Sequence, residues 1–381
     1  MENQVIEKKP DRSSNIELLR IISMLLIILC HFWGHAVYLP QDYPHNAFYY
    51  IKLMTSGWPG AVGNSVFMLI SGYFLCKSDF SIKKLLKFWF QVFSISVAIG
   101  IFVYFSKIPS FGFYSIKDFS EFGYSAAKPI SKFDLFKSFV PTVSGINWYA
   151  SKYFVFYLFT PILKKIINCL TQKEHLYLTV LMFVIGTVTK MIPGQGLAAP
   201  SNIYYFFLAY FIGSYIRFYS PKLFEDNKRN LTISLSFLLL VIISNLSISI
   251  ISNNNTTIQK FSRFLFITDI NQFPIWIISI FLFCFSKNLR VPNNKIVNSL
   301  GHSTFDVYLI HGNPILREII WFYFFKSDYF IQNGLELVFM VFIFVLYGLC
   351  YLIYVIRSST IEKYFIKLID KAYTVFQKAN L

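Results

Sequence analysis

The chain is poor in charge. Only 14% of its 381 residues are Asp, Glu, Lys or Arg, against roughly a quarter in an ordinary soluble domain, which excludes a typical cytosolic enzyme. Acidic residues are the scarcer sign, 19 against 35 basic ones. Cysteine is sparse too. Cys30, Cys76, Cys169, Cys284 and Cys350 are odd in number, form no CxxC pair and fall in or at the ends of apolar runs, so neither a disulfide framework nor a zinc cluster is expected. The longest stretch between apolar runs, 108–145, is too short for a separate soluble domain. No internal repeat is evident, which argues against an inverted-repeat transporter.

What is abundant is apolar and aromatic surface: 55% hydrophobic residues, 20% aromatic, 44 Phe and 25 Tyr, with mean hydropathy +0.52. Ten runs have the length and composition of membrane spans: 16–39, 57–76, 85–107, 146–169, 176–193, 201–219, 230–252, 267–287, 300–325 and 333–357. About 20 residues rising 1.5 Å each cross a hydrocarbon core of about 30 Å. Helices satisfy their own backbone hydrogen bonds there. The first run is too long for the h-region of a cleaved signal and no small-x-small site follows it.

The expected fold is therefore all-α, a polytopic membrane protein of about ten transmembrane helices. Residues 1–15 form a cytoplasmic segment, 16–357 the membrane domain and 358–381 a basic cytoplasmic tail. With the N-terminus inside, 21 Lys and Arg fall in inner segments and 10 in outer ones, half of the latter between Ser106 and Gly145, around the long loop. The positive-inside rule puts both termini in the cytoplasm. The net charge of +16 then serves orientation and contact with the lipid bilayer, and no nucleic-acid partner is expected.

Ionisable residues within spans are expensive and mark function. The first span, IELLRIISMLLIILCHFWGH, carries Glu17, Arg20, His31 and His35. Arg20 and His31 are eleven residues apart, three turns plus about 20°, and so share one helix face about 16 Å apart. The plainer alternative is an arginine that snorkels and a histidine bonded to a neighbouring helix. His31 and His35 at i, i+4 have metal-ligand spacing, but no carboxylate or thiolate partner is evident nearby.

The ninth span, NSLGHSTFDVYLIHGNPILREIIW, holds His302, Asp306, His311, Arg317 and Glu318. His311 lies about 20 Å along it, close to the depth of His31, so the two histidines are expected to share a polar cavity. His302 and Asp306, at i, i+4, have the spacing to pair with each other. Pro314 should kink the helix just beyond His311. GWPGAVGNSVFMLISGYFL reads either as small residues for close helix approach or as an irregular entrance to a wet cavity. Lys83, Lys84 and Lys87 open the third span, anchoring it or holding phosphates as point charges.

These features resemble the membrane acyltransferase-3 family. Arg20, ten residues and His31 match its first-span hallmark. VFMLISGYFL at 66–75, NWYASKYFVFYLFTP from Asn147 to Pro161, and GHSTFDVYLIHGNP at 301–314 match further signatures in the family's order. Where the family often has Arg-x-x-Arg, this chain has Lys84 and Lys87, which keep the charge and lose the bidentate fork. Tyr153 and Phe154 stand where many members carry glutamate, as in the branch that modifies capsules and exopolysaccharides.

The resemblance implies an O-acyltransferase of the bacterial plasma membrane. Its donor would be acetyl-CoA, with no permanently bound cofactor, and its acceptor a polysaccharide or lipid-linked glycan. Arg20, Lys83, Lys84 and Lys87 would hold the CoA phosphates, and His31 would be general base or transient acyl carrier. His311, Asp306, Trp148 and Arg317 are the candidate substrate contacts. Arg20 and His31 should then look into one wetted passage. The competing class is a transporter or flippase for a glycan or lipid-linked sugar, which needs no acyl-CoA. A polysaccharide polymerase is disfavoured, because the 108–145 loop has no Arg.

Overall fold

A computed structural model describes residues 13–37, 39, 43–110, 128–191, 202–252 and 267–379. The N-terminal Lys8, Lys9 and Arg12, residues 111–127 of the long loop, and Lys260 and Arg263 lie outside them. The described residues are helical throughout, the one non-helical pairing being an antiparallel bridge between Ser110 and Lys128.

Helix falls on each of the ten expected segments. The first four helices are α1 Ser14–His35, α2 Ala47–Thr55, α3 Trp58–Leu75 and α4 Ile82–Ser106. After the short α5 Lys132–Phe139 come α6 Trp148–Cys169, α7 Gln172–Phe183, α8 Asn202–Tyr219, α9 Asn227–Ser252 and α10 Phe273–Asn288. The last three are α11 Lys295–His311, α12 Phe342–Ser359 and α13 Ile361–Ala379. Among the described residues, four stretches are long and apolar enough to cross a bilayer on length and composition: Ser14–His35, Ile82–Ser106, Asn227–Ile251 and Glu336–Lys371. The rest are shorter, such as α10 with 16 residues, or interrupted by basic residues, such as Lys164 and Lys165 in α6.

The ends obey local chemistry. Ser81 accepts from the Lys84 N–H to start α4. Thr171 and Glu174 form a capping box on α7, and Asn294 accepts from the Ile296 and Val297 amides at the start of α11. The expected ninth span does not run through to residue 325. Helix α11 stops at His311, and the chain resumes as a π-helical turn, Ile319–Phe324. Pro314 lacks an N–H and disfavours helix at Asn313 before it, so the predicted kink is a full break.

Helix α1 lies at the centre, against α3, α11 and α10. Asn15 fixes its start, its side-chain amide donating to the carbonyls of Ser286, Lys287 and Leu289 at the end of α10. The glycine-rich start of the third helix is regular from Trp58 onward, so close approach is the correct reading there. A Cβ at Gly63 would sit 2.5 Å from Ser23 O and 2.7 Å from Ile27 Cγ1, where α1 and α3 meet. The core around these crossings is aromatic, with Phe32, Tyr205, Tyr210, Trp276 and Trp321 fully buried. All five cysteines are free thiols.

Candidate active site

Helices α1 and α11 run side by side in the same direction. At one end the Ser14 hydroxyl donates to Asn298 Oδ1 at 2.8 Å and accepts from the Asn294 N–H at 2.9 Å. One turn on, Gly301 lies against Glu17 with no room for a side chain. At the other end the His31 and His311 rings are 4.9 Å apart between centroids. Arg20, Met24, Ile27 and His31 therefore form one stripe on α1, and Thr304, Tyr308 and His311 the facing stripe on α11, each at helical spacing.

Between the stripes is a cavity of about 150 Å³. Arg20, Met24 and Ile27 line it from α1; Thr304, Phe305 and Tyr308 from α11; Asn64, Phe67 and Ser71 from α3; Phe88 from α4; and Tyr149 and Tyr153 from α6. Arg20 is its cation. Its side chain is about one-third exposed, and Nε stands 3.8 Å from Glu17 Oε2, an ion-pair separation too long for a hydrogen bond. Tyr308 also holds the α6 end of the cavity, its hydroxyl accepting the Tyr149 N–H at 3.2 Å. A guanidinium in a small aromatic chamber suits the anionic or carbonyl end of a ligand.

Beyond the cavity, at the far end of both stripes, is an imidazole cluster in which His35 and His311 are buried and His31 is half-buried. His31 touches His311 and, at 5.6 Å between centroids, His35. His311 Nδ1 lies 2.5 Å from the Val307 carbonyl, which can only accept, so Nδ1 carries the hydrogen and the neutral ring presents Nε2 as a lone pair. That Nε2 is buried and has no hydrogen-bond partner. The same is true of His31 Nδ1, His35 Nδ1, Asn313 Nδ2 and Glu318 Oε2. So many unpaired polar atoms in one buried place are uncommon and call for a reason. Gly312 closes the cluster; a Cβ there would come within 3.3 Å of His31 Cε1.

Sequence reasoning missed the acid of this cluster. The break after His311 returns the chain so that Glu318 Oε1 sits 3.5 Å from His35 Nδ1 and accepts from Arg317 Nε at 2.7 Å. The expectation that no carboxylate stands near the paired histidines of the first span is thus corrected. The signal was the helix-breaking Gly312–Pro314 segment, which allows a residue seven positions after His311 to fold back toward α1. Among the described residues no group of three or more His, Cys, Asp or Glu side chains is placed so that it could hold a metal ion.

Three other expectations are revised. The single passage from Arg20 to His31 is not continuous: the cavity stops at Ile27 and Tyr308, about one helical turn short of the imidazoles. Asp306 does not pair with His302 and is closed to a ligand. It is fully buried, bound by Arg357 Nε at 2.6 Å and by Gln91 Nε2 at 2.5 Å, while His302 Nδ1 faces the Tyr354 hydroxyl at 3.2 Å. The three lysines at the start of α4 do not line the cavity: Lys83 pairs with Asp370 on α13, Lys84 is exposed and Lys87 half-buried. Trp148 stands edge-on to Tyr149, 5.6 Å between centroids, one residue outside the cavity wall.

The fold and this site describe an all-helical membrane protein whose reactive groups are gathered inside its helix bundle. Residues 13–355 match the acyltransferase-3 family, described as an acyltransferase domain, and the chain belongs to that family of membrane acyltransferases. No curated protein and no solved structure matches the chain.

Proposed function

We propose that the protein is a multi-pass O-acyltransferase of the bacterial plasma membrane, with both termini in the cytoplasm. It moves a short acyl group, most simply acetyl, from acyl-CoA to a hydroxyl of a cell-surface polysaccharide or its lipid-linked precursor. The observation that carries this reading is the alignment of an accessible guanidinium, Arg20, with two touching imidazoles, half-buried His31 and buried His311, along two facing helix stripes.

In the reaction the hydroxyl oxygen attacks the thioester carbonyl, the C–S bond breaks, and the hydroxyl proton leaves with an imidazole. His31 takes that proton, and His311, whose Nε2 can only accept while the ring is neutral, is the second acceptor beside it. An alternative order has His31 carry the acyl group before the sugar receives it. A neutral imidazole has a lone pair that serves either role.

The cavity volume also bears on donor placement. Sites that enclose a whole drug-sized ligand hold about 300–1,000 Å³; this chamber is smaller and fits only the acyl end of a CoA thioester. The nucleotide phosphates would lie outside it, toward Arg20 and the Lys83, Lys84 and Lys87 turn. Ile27 and Tyr308 separate donor from imidazoles in this structure, so their side chains must yield during transfer. Trp148 and Arg317 remain candidate acceptor contacts at the edges of the site.

The test uses purified protein in nanodiscs with acetyl-CoA and the host's surface glycan. Wild type should release free CoA with acetylation of the glycan. His31→Ala should lower the rate by about 10²–10⁴-fold, the usual contribution of a positioned base, with yield and melting temperature retained. Arg20→Gln should raise KM for acetyl-CoA about tenfold. If the wild type moves a lipid-linked glycan across the bilayer without consuming acyl-CoA, the transferase reading is wrong and the chain is a flippase.

A further inference from the structure

The C-terminal helix α13 begins one residue after α12 ends and is strongly amphipathic. One edge holds it to the protein: Phe365 stacks on Phe90 at 3.5 Å between centroids, Ile369 is buried, Lys83 pairs with Asp370, and Arg357 Nη2 reaches Glu362 Oε2 at 3.0 Å. A second edge leaves Ile361, Tyr364 and Leu368 largely exposed, at 53%, 73% and 65%. These occupy i, i+3 and i+7, one apolar stripe with nothing of the protein on it. An amphipathic helix leaving a membrane-spanning one with such a stripe belongs in the bilayer interface.

Beneath this helix is a second pocket, of about 340 Å³, between α11, α12 and α13. Its walls are His302, Tyr354, Ser358, Glu362, Lys363 and Lys367. Glu362 is already answered by Arg357. Lys363 and Lys367, at i, i+4 on one face, then make the pocket net positive. It shares no residue with the cavity around Arg20.

We propose that this pocket binds the phosphate of an anionic phospholipid headgroup, with Lys363 and Lys367 as its cations and the Ile361, Tyr364, Leu368 stripe lying among the acyl chains beside it. Cationic ammonium groups pair with phosphate as point charges, and the flanking apolar stripe selects a lipid phosphate over a soluble one. The apparatus bears on the rest of the fold: Glu362 holds Arg357, which holds Asp306 on α11, two residues from the Tyr308 that bounds the Arg20 cavity.

The test is native mass spectrometry of the full chain in detergent, titrated with phosphatidylglycerol or phosphatidylcholine. Phosphatidylglycerol should bind at least about tenfold more tightly. Each lysine near a headgroup contributes about fivefold, so the K363Q/K367Q double variant should lose about tenfold or more. K363R/K367R should retain binding, and K132Q, a surface charge on another helix, should change nothing.

The proposal is overturned if K363Q/K367Q binds phosphatidylglycerol like wild type, or if the two lipids bind equally. It is also overturned if coenzyme A alone occupies the pocket, in a manner lost in K363Q/K367Q, and displaces the lipid. Lipid occupancy is read without any turnover, so this result stands apart from whether acyl transfer is found.

Discussion

Two buried polar clusters lie on the same helix, α11, and they are built on opposite principles. Around Asp306 the carboxylate has both oxygens engaged, by Arg357 and Gln91, and Arg357 reaches on to Glu362; one guanidinium nitrogen, Nη1, is left over. Around His311 several side chains have an unpaired atom: His31, His35, Asn313 and Glu318 each contribute one. Saturated networks rigidify a fold, whereas unpaired buried groups cost free energy and persist where something else uses them. The first cluster locks α4, α11 and α12 together; the second leaves lone pairs and N–H groups unused.

The contrast predicts unlike responses to substitution. The largest effect should follow Asp306→Ala, which strands the Arg357 guanidinium in the interior. Breaking a buried pair from one side costs roughly 3–5 kcal/mol, visible as a steep fall in thermal stability in detergent. Replacing both partners, Asp306→Leu with Arg357→Met, should recover much of that loss; a single change as harmless as the double one would undo the contrast.

A smaller effect, on rate alone, is expected at the other cluster. Glu318→Gln preserves the shape beside His35 and removes the charge. It should slow acyl transfer about tenfold, roughly 1.4 kcal/mol in barrier, with the acetyl-CoA KM and the melting temperature unchanged. A drop in stability matching that of Asp306→Ala would place Glu318 with the structural network.

The smallest effect belongs to the surface. Asp79 and Lys164 pair at 2.6 Å in the open, and the hydrogen bond and charge of Lys164 hold the Asp79 carboxyl below its usual range. Whatever that pair contributes is present above the ordinary carboxylate range and lost as pH falls through the lowered value. Exposed pairs contribute little, so Asp79→Asn should leave the melting temperature unmoved at neutral and acidic pH alike.

How much of this was legible in the sequence depended on whether a relation was local. Helix periodicity placed Arg20 and His31 on one face, and counting residues along two parallel helices put His31 and His311 at one depth; the structure brings both together. What could not be read was pairing across turns of undetermined direction. Glu318 reaches His35 only because the helix ends at His311, and a kink had been expected where the chain breaks outright. Arg357 counted as one more headgroup cation at a span end, yet it is buried against Asp306. Lys83 looked available for phosphate until the C-terminal helix supplied Asp370. Charge counting gives the sign of a segment but not the partner that neutralises it.

The plug formed by Ile27 and Tyr308 has a consequence for the host cell. A membrane that stores energy as a proton gradient is endangered by any continuous file of titratable groups across it. With these two side chains interposed, the imidazoles have no aqueous contact with the Arg20 chamber at rest. The idle protein thereby offers that gradient no path from the chamber to the imidazoles.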